Sequence, residues 1–347
     1  MRRRKAIQMS RVLGILCVLG VSGPGIGADP KMPAEPTSGV WIDPARPYEV
    51  SGKLTLVVAQ RVEASGEAND RLQKAVDFYQ AYVKTSAEMN ERAGPNRELT
   101  PSEMQRVLHS RLVAIEQFVE VNKVFPETSA GLTAILWVGS LVHGQSSELA
   151  ASVLPALREL RHRHGASWQG ALASHVESPL LYVSLPPQGT PDARRRALYE
   201  AQYQLMLETL PKGEVSVDRT LPGVDLLLRD RLAVKGSIRA SFLQWIRACE
   251  YNLSYLSRGE EAREWLRKSI ATNQRIMTEY PGTEESKDAD GRTYQFARRA
   301  AEFAAPPTTW PATSRPATSQ PATTSAPSSA PEQEQGGDVV TLTSQPR

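Results

Sequence analysis

"EYPGTEESKDA" (Glu279–Ala289) and "VFPETSAGLTA" (Val124–Ala134) lie about 155 residues apart and carry nearly the same message. In each, an aromatic residue (Tyr280, Phe125) is followed at once by proline (Pro281, Pro126), then by one residue, then by threonine (Thr283, Thr128). Proline has no amide hydrogen to give to a helix interior, and it biases the residue before it away from helical angles. Threonine shortly afterwards is a good N-cap. Each stretch therefore predicts the end of one helix, a tight turn and the start of the next.

Working outward, helical periodicity fills the chain on both sides of these turns. Leu72, Val76, Tyr79 and Val83 recur at helical spacing, with Ala75 and Tyr82 widening the face. In "LTPSEM", Thr100 is an N-cap, Pro101 suits the first helical position and Glu103 completes a capping box. The stripe Met104, Leu108, Leu112, Ile115 and Val119 then runs into Phe125-Pro126. Thr128 or Ser129 caps the next helix, whose stripe is Leu132, Ile135, Leu136, Gly139 and Val142, with Gly139 allowing a close neighbour. Further helices are expected at about 146–164 and 167–185, and another opens at Thr190-Pro191 and closes before Pro211. The strongest amphipathic segment is Ile238, Phe242, Trp245, Ile246, Cys249, Leu253 and Leu256. After a break at Gly259, Trp265, Leu266, Ile270 and Met277 lead into Tyr280-Pro281. Thr283 caps a last helix, with Glu284 and Glu285 placed to suit the positive end of its dipole. About eleven helices and no strand are expected, so the body is all-α.

The helix, aromatic-Pro-x-Thr turn, helix pattern resembles tetratricopeptide repeats, in which a proline closes the second helix of each hairpin. The resemblance covers mainly residues 101–142 and 238–303. The family's tryptophan-leucine-glycine signature is not at the expected offsets, Asn273 stands where the family has an aromatic, and these helices are longer. The resemblance implies stacked antiparallel helical hairpins, a TPR-like α-solenoid. It transfers no ligand-binding residue.

The two ends of the chain read differently from the body. Residues 1–28, "MRRRKAIQMSRVLGILCVLGVSGPGIGA", have a basic start, an apolar stretch from Val12 to Val21 and small residues up to Ala28, the layout of a secretory signal peptide. The apolar stretch is far shorter than the roughly 20 residues of a spanning helix. Cys17 follows Leu16 rather than the small residue of a lipoprotein signal. Residues 29–51 are an extended arm with Pro30, Pro33, Pro36, Pro44 and Pro47, with Trp41 and Tyr48 expected to dock on the body. An all-α helical-repeat domain is expected over 52–305. From 306 to 347 the repeat PATSR, PATSQ, PATTS offers too little apolar surface to offset ordering entropy, and a disordered tail is expected.

Charge excludes one class of function. Removing the leader cations Arg2, Arg3, Arg4, Lys5 and Arg11 from the formal +3 of the 347-residue chain leaves −2. No composition argument for nucleic-acid binding survives. Once the leader is gone Cys249 is the remaining thiol, so stability must come from packing rather than from an intrachain disulfide.

Few residues suggest chemistry. His162 and His164 are two apart and point to different sides of a helix, so they fit the basic last turn before Gly165 better than a metal site. His109, His143 and His175 are isolated, without zinc-site spacing. Cys249 sits on an apolar stripe and reads as core, while Arg194, Arg195 and Arg196 read as a solvated helix face. Asp218, Asp225 and Asp230, in an irregular stretch, are the acids an α/α-toroid glycosidase or lyase could place over a cleft. There is no phosphate loop, G-x-S-x-G or dinucleotide fingerprint. No catalytic, cofactor-binding or metal-binding residue is assigned, and no cofactor is expected. The sequence points to an exported helical-repeat scaffold that binds unknown proteins of the cell envelope, with no transmembrane segment after signal removal. A carbohydrate-active toroid is the alternative.

Overall fold

The computed structural model describes residues 39–42, 48–93, 99–185, 188–232 and 237–304. The expected signal peptide, all five of the arm's prolines and the expected tail lie outside them. Among the described residues there are ten α-helices: α1 (Gly66–Ala93), α2 (Pro101–Val124), α3 (Ser129–Val142), α4 (Ser147–His164), α5 (Trp168–Glu177), α6 (Pro191–Thr209), α7 (Val224–Leu232), α8 (Ile238–Leu256), α9 (Gly259–Glu279) and α10 (Glu284–Ala304). A 3₁₀ turn, Ser178–Ser184, follows α5, and α7 arises inside the stretch expected to be irregular.

The caps are where local chemistry puts them. The Thr100 N–H donates to Glu103 Oε2 at 2.9 Å while Thr100 Oγ1 accepts from the Glu103 N–H at 3.4 Å, completing the capping box of α2. Thr128, Ser146, Ser167, Thr190, Ser237 and Thr283 cap α3, α4, α5, α6, α8 and α10 by accepting from the amide three residues on. The two quoted turns share one geometry. Phe125 has φ −126° and ψ 50°, and Tyr280 has φ −128° and ψ 50°. In each, the aromatic's N–H donates four residues back, to Val121 or Ile276, and its carbonyl accepts from the threonine N–H and hydroxyl.

Helices adjacent in sequence pack in succession, α1 on α2, α2 on α3, α3 on α4, α4 on α5 and later α8 on α9, while α6 packs on α8 across the intervening α7. The fold is almost entirely helical, with largely sequential helix-on-helix packing, and α7 lies against α3 and α5. α3 is not a one-sided amphipathic helix. Every residue from Ala130 to Val142 is buried, as is every residue of α5. Gly139 lets α3 and α5 cross, because a Cβ there would stand 2.5 Å from Val176 Cγ1. At the heart of the core Trp137 stacks on Phe118 with ring centres 5.2 Å apart, and Tyr79 closes in at 4.4 Å.

The C-terminal helices are joined by a buried polar network. Arg247 of α8 donates to Asn273 Oδ1 of α9 at 3.0 Å and to Asp288 Oδ2 of α10 at 2.7 Å. Asn273 Nδ2 donates to the Ala289 carbonyl at 2.8 Å. The residue standing where the repeat family has an aromatic thus fastens three helices together. Contacts at Arg247–Asp288, Tyr251–Phe296 and Tyr255–Arg299 advance together along α8 and α10, so these two helices run parallel.

Two expectations are corrected at the start of the chain. A strand pair is present: β1 (Val40–Ile42) and β2 (Val50–Gly52) pair antiparallel, with Trp41 opposite Ser51. Three-residue strands are too short to reveal a period of two. The residues that dock are also different, since Val40 and Val50 are fully buried while Trp41 and Tyr48 are 43% and 59% exposed.

Candidate functional site

Between β2 and α1 the chain neither coils nor joins a sheet. Residues 53–63 form an extended strap laid between α2 and α4, and helical side chains take up its backbone groups. On the α4 side, the Leu54 N–H donates to Ser152 Oγ at 3.1 Å, and Arg163 Nη1 donates to the Val58 carbonyl at 2.7 Å. On the α2 side, Asn122 holds both backbone groups of one residue. Its Oδ1 accepts from the Val57 N–H at 2.8 Å and its Nδ2 donates to the Val57 carbonyl at 2.9 Å. His164 Nε2 lies 2.8 Å from the Ala59 carbonyl, a pure acceptor, which fixes the ring proton on Nε2. The end of the strap meets the first quoted turn, where the Glu63 N–H donates to the Glu127 carbonyl at 2.7 Å and Glu63 bridges Thr128 in parallel.

The strap's side chains alternate as an extended chain requires. Leu54 and Val58 are buried in the core and Leu56 is half-buried against it, whereas Thr55 and Val57 face outward. Residues 60–64, which lead to α1, are exposed. The groove thus combines apolar sockets at alternate positions with polar groups matched to a main chain. Beside the first turn a shallow notch of about 80 Å³ is lined by Arg71, Lys74, Gln117, Glu120, Val121 and Phe125. It is well below the roughly 300 Å³ at which small-molecule pockets begin.

A second cluster lies where α6, α8 and α9 meet. Glu250 is buried there with Oε2 lacking a hydrogen-bond partner. Burial pushes its carboxyl up to about 7, only partly offset by a Thr272 hydrogen bond, the Lys268 charge and a Tyr203 hydrogen bond. Tyr203 is in turn pushed up to about 12, by burial and then by the charge of Glu250. Its ring meets Trp265 edge to face at 5.1 Å, and Lys268 Nζ sits 4.5 Å from the Trp265 ring centre.

The residues singled out in the sequence do not converge. His164 grips the strap while His162 is exposed, and no group of three metal-ligating side chains occurs among the described residues. Cys249 is buried, and desolvation pushes its thiol up to about 12, as suits a core residue. Arg195 pairs with Asp192 at 2.5 Å, and Arg196 pairs with Glu200 and Glu261. Asp218 accepts from the Thr220 N–H at 3.0 Å and Asp225 pairs with Arg219 at 2.6 Å, while the Asp230 side chain is outside the described set. His175, isolated in sequence, proves to be deeply buried, with both ring nitrogens unpartnered and its ring edge-on to Phe242 at 4.3 Å. Desolvation lowers it to about 3.

One of the residues that the sequence reading passed over carries a signal there. Glu250 stands four residues after Ile246 and three before Leu253, on the apolar stripe of α8, where an acid is anomalous. Asn122 gave no such sign, because its partner lies 65 residues away. No protein-family model, curated protein or solved structure matches the chain. The fold and the groove define a class in physical terms, a stack of helices holding an extended chain.

Proposed function

We propose that the protein is an exported, non-catalytic scaffold of the cell envelope, built from tetratricopeptide-like hairpins and binding other proteins through its helical surfaces. The observation that carries this reading is the pair of turns with matching backbone angles and matching hydrogen bonds, one at Phe125 and one at Tyr280. A hairpin device used twice in one chain is how a stack of helices extends its surface. No helix among the described residues is long and apolar enough to cross a membrane, in keeping with a body that works outside the bilayer. The carbohydrate-active alternative has less support, because Asp218 and Asp225 are each engaged by a local partner.

The test expresses the intact chain with its leader and fractionates the cells. N-terminal analysis of the envelope fraction is expected to find cleavage near Ala28. Chemical crosslinking followed by capture is expected to retain specific envelope proteins that heat-unfolded protein does not retain. Intact chain retained inside the cell, or capture indistinguishable from the unfolded control, would overturn the reading.

A further inference from the structure

We propose that the groove between α2 and α4 is a receptor for an extended segment of a partner protein, and that residues 53–59 are a built-in occupant which that segment displaces. The proposal rests on the scaffold reading above and adds to it the kind of partner and its control.

The bonds holding the strap are those that would hold a foreign chain. A strand bound to a sheet is held by another backbone, whereas here Asn122, Ser152, Arg163 and His164 present side chains to main-chain groups. Asn122 engages N–H and C=O of a single residue, a contact any non-proline residue in extended conformation satisfies. Its Nδ2 also donates to the Gly131 carbonyl at 3.2 Å, so the amide is oriented whether or not a chain lies in the groove. Ser152 likewise donates to the Leu149 carbonyl at 2.7 Å, which turns its oxygen outward as an acceptor. The reading groups are thus set by the helices.

Selectivity comes from alternation. The sockets of Leu54, Leu56 and Val58 accept apolar side chains two residues apart, while the positions of Thr55 and Val57 face out and leave the choice free. The occupant is therefore an extended segment with aliphatic residues at alternate positions and no proline at the residue Asn122 holds. Val57, at 48% exposure, and Val62, at 42%, show that part of the strap's own apolar surface remains outside the core. The exposed residues 60–62, ahead of the Glu63 bond to the Glu127 carbonyl, form a connector through which residues 53–59 could leave without moving α1.

A strap tethered beside its groove competes as a ligand of high effective concentration, so a partner segment binds weakly until the strap is weakened. The probe is a fluorescein-labelled peptide of residues 53–61, titrated against the full-length protein and followed by anisotropy. Leu54→Asp in the chain spoils the strap while leaving the groove residues unchanged, and is expected to raise peptide affinity at least about tenfold over wild type. Adding Asn122→Ala to that variant is expected to remove the gain. A folded Leu54→Asp protein that binds no better than wild type would overturn the proposal.

Should Leu54→Asp fail to fold, a protease site inserted between Ala64 and Ser65 serves instead. Labelled peptide is expected to exchange into the cut protein with release of the N-terminal fragment, seen by native mass spectrometry. A fragment that stays bound with no peptide uptake overturns the proposal. So does a concentration-dependent dimer that excludes the peptide, which would make the strap of a second copy the occupant. If envelope proteins are captured equally by wild type and Asn122→Ala and are not competed by the peptide, the partner binds elsewhere. That result removes this proposal and leaves the scaffold reading standing.

Discussion

Two buried groups of opposite character, His175 and Glu250, should cancel in the pH dependence of stability, and removing either one should expose the other. The folded protein holds His175 at about 3 against 6.5 when unfolded. Below pH 6.5 the unfolded chain therefore binds a proton the folded protein refuses, and stability falls as pH falls, by about 1.4 kcal/mol per pH unit down to pH 3. Glu250 works the other way. Its folded value is about 7 against 4.5 unfolded, so between these values the folded protein binds the extra proton and stability rises as pH falls. From pH 7.5 to 5.0 the histidine costs about 2 kcal/mol and the glutamate contributes about 2 kcal/mol, leaving a nearly flat profile down to about pH 4. Below that the glutamate is protonated in both states and the histidine dominates. Asp288 is hindered by burial but held below its usual value by Arg292 and Arg247, so its stabilisation is lost only as pH falls through still lower values.

Urea denaturation at pH 7.5 and 5.0 measures this directly. Wild type should change little between the two. Glu250→Gln should lose about 2 kcal/mol on acidification, and His175→Leu should gain about the same. Comparing each variant with itself removes the baseline effect of the substitution. If Glu250→Gln keeps the flat wild-type profile, the opposition of these two groups is wrong.

Gly131→Ala should destabilise by about 1–3 kcal/mol or more, since its Cβ would stand 2.1 Å from the Phe125 carbonyl oxygen, whereas Gly291→Ala, in open space on α10, should stabilise by about 0.5–1 kcal/mol. Thermal unfolding of the pair checks both signs. Arg247→Ala, which leaves Asn273 and Asp288 without their buried partner, should cost about 3 kcal/mol in chemical denaturation, and a loss under 1 kcal/mol would show the network to be dispensable. Phe125 is only half-buried, so Phe125→Ala should cost about 2 kcal/mol rather than the 3–5 of a fully buried ring, with Pro126→Ala milder still. The same order is expected at Tyr280 and Pro281, where the tyrosine also accepts a hydrogen bond from Arg239 at 2.8 Å, and the reverse order would mean that the prolines set the turn.

Features written in local chemistry were legible. Thr100 with Glu103, and Thr128 and Thr283 after their prolines, mark helix starts because the capping bond spans three residues. The stripes of α2 and α8 follow for the same reason. What escaped depends on distant residues. Glu177 looks like a surface acid, yet it is buried because Arg158 on the preceding helix donates to it at 2.9 Å and Arg161 approaches its other oxygen at 3.2 Å. The full enclosure of α5 could not be foreseen from "WQGALASHVE", whose Gln169, Ser174, His175 and Glu177 suggest an exposed side. The strap carries no local mark of its own within the expected helical body, because its extended form is imposed by side chains from α2 and α4.

The fastening of that strap also sets an order of events. Its anchors lie far along the chain, with Val50 bonding to Gln145, Leu54 to Ser152, Val58 to Arg163 and Ala59 to His164 across separations of 95, 98, 105 and 105 residues. Closing so long a loop adds little entropy beyond a shorter one. It does require that α4 already exist. A chain delivered N-terminus first, from a ribosome or through a translocation channel, therefore presents residues 50–59 long before the helix that holds them. The earliest part of the body to emerge thus waits for residues some hundred positions later, and until then it is an extended apolar segment open to whatever binds such segments.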